Sequence, residues 1–183
     1  MTDLNKLEDT WSDLLFHVRR SVRYHMRRQA FFERWHRLTG WISVVSGSAA
    51  AASLIGDASG NSIALTASLI VAAVQSLDLF YTPSEMARRH SEYRRRFIEL
   101  ESGMVCTPES SDADLRKCKE SRLAIEAEEP PLLTTLNLIC HNEMLVAMGF
   151  DRREPKDKDL FSEIPWLNKR LAQFLDFGEF SAY

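Results

Sequence analysis

The chain has 183 residues, 23 Lys and Arg against 26 Asp and Glu, a formal net charge of −3, 45% hydrophobic residues and a mean hydropathy of −0.25. Ten Phe, four Trp and four Tyr are too many apolar anchors for a disordered chain, and seven Gly with six Pro exclude a collagen-like or low-complexity one. The length admits one compact domain or two at most, and the slightly acidic balance lacks the positive excess of a direct nucleic-acid binder.

In chain order, Leu4, Leu7, Trp11, Leu14, Val18, Val22 and His25 recur at steps of three and four, the apolar stripe of an amphipathic helix within residues 1–37. Arg19, Arg20, Arg23, Arg27 and Arg28 lie beside it. Such a helix either rests on an anionic membrane leaflet or packs on other helices of the protein. The narrow, heptad-like spacing favours packing. Residues 38–56 then run 19 positions without a charge, and residues 58–77 run 20 more before Asp78. At about 1.5 Å per residue each run forms a helix of about 28–30 Å, the thickness of a bilayer core. A transmembrane hairpin over 38–82 is predicted.

The flanks support it independently. Arg19, Arg20, Arg23, Arg27, Arg28, Arg34 and Arg37 precede the first run, and Arg88, Arg89, Arg94, Arg95 and Arg96 follow the second, while the connection at 56–61 has no Lys or Arg. The positive-inside rule puts both termini in the cytoplasm of a multi-pass inner-membrane protein, with Arg27, Arg28, Arg34, Arg37, Arg88 and Arg89 at the membrane surface. Trp35, Trp41, Phe80 and Tyr81 stand where interfacial aromatics belong. About 37 residues precede the first run, too many for a cleavable signal. The alternative, a buried Ala/Ser-rich hairpin in a soluble protein, gives no reason for the arginine segregation.

Thr82-Pro83-Ser84-Glu85 is a helix-start signature with a capping threonine. Met86, His90, Tyr93, Phe97, Leu100 and Met104 follow at 4-3-4-3-4 spacing, a coiled-coil-like seam for the N-terminal stripe of the same chain or for a second copy in a homo-oligomer. Gly103, Pro108 and Ser110-Ser111-Asp112 interrupt it. Another helix is predicted over about 112–129, stopped by Pro130-Pro131, and another over 132–149, ending at Gly149. His141, Asn142 and Glu143 in its middle argue against a third span. A charged linker from Asp151 leads to an amphipathic segment, 161–180, too apolar for a free tail. The expected fold is all-α: an N-terminal amphipathic helix (1–37), a hairpin (38–82), a cytoplasmic helical region (83–150) and a linker with its C-terminal segment (151–183).

Chemistry is sparse. No Walker-type loop, Gly-x-Ser-x-Gly or Cys-x-x-Cys is present, and His141-Asn142-Glu143 has no second histidine at helical spacing. His17, His25, His36 and His90 sit among arginines, where a helix surface or a buried hydrogen bond explains each better than a ligand role. Cys106, Cys118 and Cys140 match no zinc pattern and read as free thiols. Neither an enzyme nor a cofactor or metal is expected. In the hairpin, Ser43, Gly47 and Ala51 form one small-residue face, and Ala64, Ser68, Ala72 and Ser76 another. These faces either close the hairpin on itself or let several hairpins associate, with Ser68, Gln75, Ser76 and Asp78 lining a wet passage. Asp78, an ionisable residue at the bilayer edge, is either functional or an interfacial neighbour of the arginines.

The order HVRRSVRYHMRRQAFFERW, two-helix hairpin, SEMARRHSEYRRRFIELE and IEAEEPPLLTTLNLICHNEM resembles the SLATT family of prokaryotic two-transmembrane proteins over roughly residues 10–150. The resemblance implies a membrane effector of an antiviral conflict system, forming pores when a linked nucleotide-signalling module detects infection. Family associations include nucleotidyltransferases that make cyclic oligonucleotides, nucleotide-sensing domains and reverse transcriptases. No such domain is recognisable here, so the resemblance implies a separate signalling or sensor protein, or a ligand held by the last 80 residues. The alternative is a non-conducting membrane scaffold that recruits a cytoplasmic partner. A soluble regulatory bundle is a third reading.

Overall fold

A computed structural model describes residues 2–55, 61–106 and 111–176. The connection at 56–60, the side chains of Leu4 and Leu7, Pro108, Ser110 and residues 177–180 of the C-terminal segment lie outside the described residues. Among the described residues all regular structure is helical: α1 (Thr2–Ile55), α2 (Asn61–Tyr81), α3 (Pro83–Cys106), α4 (Asp112–Glu126), α5 (Thr134–Ala147) and α6 (Trp166–Leu171), with a 3-10 turn at Lys158–Leu160.

Proline placement explains the long helices. All six prolines lie at Pro83 or beyond, so nothing removes a backbone donor from α1 or α2. The first amphipathic helix and the first uncharged run are therefore one element. Thr82 ends α2 through its N–H on the Asp78 carbonyl (2.9 Å) and starts α3 by accepting from the Glu85 and Met86 amides (3.0 and 3.1 Å). Its φ of 39° is the left-handed region, strained for a β-branched residue, so the break between α2 and α3 is tight. Ser111 caps α4 in a reciprocal capping box with Asp114. That helix stops at Glu126, three residues before the predicted end, because turn bonds from Glu128 to Ile125 and from Glu129 to Glu126 take over ahead of Pro130. Gly149, at φ 92°, lets the Phe150 amide reach back to Leu145 (3.1 Å) and close α5.

The chain divides into two compact units, one of Met1–Arg28 with His90–Tyr183 and one of Gln29–Arg89. In the first, Leu14 and Val18 of α1, Phe97 and Met104 of α3, and Leu115 and Ile125 of α4 form a buried core, flanked by Trp11, Val22, Tyr93 and Leu100. The α3 seam thus meets the N-terminal stripe within one chain. A second cluster joins Tyr24, Leu136, Cys140 and Ala172. The C-terminal segment folds back on its own protein, burying Phe161, Ile164, Asn168 and Ala172. Asn142 both donates to and accepts from the Ser162 backbone (2.8 and 2.9 Å). Asp176 accepts from the first amide of α5 at 2.9 Å, a carboxylate at the positive end of that helix.

In the second unit, the later part of α1 pairs antiparallel with α2, as Trp35 meets Tyr81, Thr39 meets Asp78 and Ser43 meets Gln75. Among the described residues, one helical stretch, Ala64–Cys106, contains a segment long and apolar enough to cross a membrane, and only 6% of that segment is buried.

Candidate functional site

The side chains singled out in the hairpin fall on two kinds of surface. Ala64 and Ala67 are buried and bring the helices together; Ser43 is half-buried. Gly47, Ala51, Ser68, Ala72, Gln75 and Ser76 are exposed, and a Cβ added at Gly47 would meet nothing within 4 Å. Much of the small-residue surface is therefore open rather than consumed in closing the hairpin. Its hydroxyls are not bare: Ser43, Ser48, Thr66 and Ser76 donate to the carbonyls four residues earlier, at 2.7–2.9 Å. This back-bonding lowers the cost of holding serine and threonine in an apolar medium.

Two polar cross-links tie the helices. Gln75 donates to the Ser43 hydroxyl at 2.7 Å. The Thr39 hydroxyl lies 3.0 Å from both Asp78 Oδ1 and the His36 carbonyl, so its single proton serves one at a time. His36 Nδ1 is 3.9 Å from the other Asp78 oxygen. Asp78 is held at the helix–helix contact, with its side chain 24% exposed.

The basic residues divide as well. Arg34, Arg37, Arg88 and Arg89 are exposed. Arg27 and Arg28 are half-buried and engaged within the helical body. Arg27 forks onto both oxygens of Glu143, and Arg28 donates to the Gln173 carbonyl at 2.7 Å. A guanidinium takes whichever acceptor the fold brings beside it, and sequence shows only that it is basic.

Sequence reasoning missed a buried imidazole pair. His25 of α1 and His90 of α3 face each other, Nδ1 to Nδ1, at 2.9 Å, and are 0% and 3% exposed. Glu129 Oε1 lies 3.3 Å from His25 Nε2, off-line for a hydrogen bond, in a contact whose carboxylate side chain is 4% exposed. Tyr24, Tyr93 and Phe97 wall the pair, the last stacked on His25 at 5.7 Å. Glu129 is aimed inward because its neighbour Glu128 is clamped outward: Tyr93 donates to the Glu128 carbonyl, and Arg96 holds both Glu128 carboxylate oxygens. One of two facing Nδ1 atoms must donate and the other accept, so at most one imidazole is charged. Burial, then His25, then Arg28 push the His90 pKa down to about 3, which leaves His90 neutral. The proton shared between the two Nδ1 atoms links α1 to α3, and the Glu129 contact sets the α4–α5 turn against His25. The available signal was that His25 and His90 both stand on the apolar stripes predicted to meet.

The remaining candidates have structural partners. Met86 is half-buried in the second unit, while Tyr93, Phe97 and Leu100 join the first unit's core. His141 Nε2 sits 3.2 Å from the Leu160 carbonyl. Cys106, Cys118 and Cys140 are free, and burial pushes the Cys140 thiol up to about 12, so it is unreactive. Among the described residues no group of three or more His, Cys, Asp and Glu is placed to hold a metal ion. Comparison with protein-family models, with curated proteins and with solved structures found no match.

Proposed function

We propose that the chain is an inner-membrane effector, with both termini cytoplasmic, that associates with copies of itself and permeabilises the bilayer when triggered. The observation that carries this reading is the outward surface of residues 29–89. Leu38, Trp41, Val44, Val45, Leu65, Leu69, Leu79 and Phe80 are each more than 60% exposed, an apolar exterior unfavourable in water and natural in lipid. The open face at Gly47 and Ala51 supplies the close approach that helices need to associate in lipid. The trigger fits a separate nucleotide-signalling or sensor protein acting on the cytoplasmic helices, as the SLATT resemblance implies.

The test is dye entry and membrane potential in cells producing wild type, Gly47→Leu or Asp78→Ala. A Cβ at position 47 meets nothing within 4 Å, so Gly47→Leu is expected to leave the hairpin intact and to lower permeabilisation at least tenfold by blocking contact between copies. Overproduced wild type that inserts but never depolarises the cell contradicts the pore. The non-conducting scaffold has its own support in the exposed Trp166 and Phe174, and it predicts that Gly47→Leu changes nothing while loss of the C-terminal segment abolishes function.

A further inference from the structure

By folding back over α5, the C-terminal segment forms a cavity of about 600 Å³, open to solvent and within the usual size range of small-molecule sites. Ile139, Phe161 and Ile164 give it apolar walls, and Arg23, Arg152 and Lys169 give it positive charge. The charge is poorly neutralised. Glu143 also lines the cavity, but Arg27 takes both of its oxygens. Among the described residues Arg152 has only Glu163 at 3.8 Å, a contact between exposed groups that water screens. Arg23 directs its Nε to the Met144 sulfur at 2.9 Å, and among the described residues neither Arg23 nor Lys169 has a carboxylate within ion-pair distance. The walls are fixed by the two Asn142–Ser162 hydrogen bonds, so the cavity does not depend on a bound molecule to form.

We propose that this cavity binds a small organic anion, a phosphate or carboxylate carried on an apolar or aromatic body. The anionic group sits on the planar fork of the half-buried Arg23 with Lys169 beside it, and the body rests against Phe161 and Ile164. All these residues belong to the unit of Met1–Arg28 and His90–Tyr183, so the site is independent of the membrane reading.

The probe is 1-naphthyl phosphate, titrated calorimetrically into the detergent-solubilised full chain, with inorganic phosphate and 1-naphthol as its separate halves. Naphthyl phosphate is expected to bind at least tenfold more tightly than either half. The Arg23→Gln/Lys169→Gln double variant is expected to lose tenfold or more. Ala147→Trp, on an exposed side chain of the lining, is expected to abolish binding while thermal unfolding stays unchanged. Should that variant unfold, Val146→Trp, where the native side chain is 62% exposed, blocks the same wall. Equal affinity for 1-naphthol, no saturable binding by about 1 mM, or unchanged binding in the folded tryptophan variants overturns the site.

Discussion

His90 shows how a single side chain can set the pH response of the helical body. Its folded pKa is about 3 against an ordinary value of 6.5, because burial and then the neighbouring His25 and Arg28 oppose its charge. Below pH 6.5 the unfolded chain takes up a proton that the folded chain refuses. Stability contributed by neutral His90 is therefore complete above 6.5 and lost as pH falls towards 3, at about 1.4 kcal/mol per pH unit. The groups facing this imidazole include His25, Tyr24 and Arg28 of α1, while Tyr93 and Glu129 stand against His25. His90→Gln keeps a hydrogen-bonding group opposite His25 and removes the titration. Denaturant unfolding at pH 7 and pH 4.5 is expected to show a drop about 2–3 kcal/mol smaller in the variant than in wild type. Identical drops would show that His90 is not held neutral by the fold.

At the scale of elements, helix ends are where local sequence decides most. Ser111 accepts from the Asp114 amide, while the Asp114 carboxylate takes the Ser111 backbone N–H and hydroxyl. Ser111→Ala removes one half of that exchange and is expected to cost about 1 kcal/mol, read as a lowered melting temperature, whereas Ser111→Thr keeps the hydroxyl and stays near wild type. Equal losses for the two would mean that the cap does not hold α4. These punctuation marks were legible: Pro83, the break at Ser111-Asp112, Pro130-Pro131 and Gly149 all fall where helices begin or end. The apolar stripes of α1 and α3 were legible too, because period 3.6 marks a buried face. Whether they cover each other within one chain or across two copies was not, since a stripe says that something covers it without saying which chain supplies it. Glu129 was hidden for a related reason. A carboxylate before two prolines looks solvent-exposed until chain folding brings His25, more than a hundred residues earlier, against it. Likewise Arg27 and Arg28 looked like surface charge because their partners, Glu143 and Gln173, come from the far end of the chain.

For the whole molecule, the averages of −3 and −0.25 conceal two contrasting units. In one, apolar side chains turn inward and charges pair across helices, as in a water-soluble bundle. In the other, apolar side chains turn outward and polar ones turn to their own backbone or to the facing helix. Burial of Leu79 and Phe80, each 81% exposed, requires a medium that the chain itself does not provide. We infer that lipid is this medium and that residues 38–82 cross it twice. The most direct measurement is labelling of Ser59→Cys, in the connection between the two uncharged runs, by a membrane-impermeant maleimide added to intact cells. The native, exposed Cys106 serves as the internal control for the cytoplasmic side. Labelling at position 59 alone is predicted, with the wild type unlabelled until the cells are opened. Label on the wild type in intact cells, or a Ser59→Cys protein that is membrane-bound yet labelled only after lysis, would contradict the hairpin.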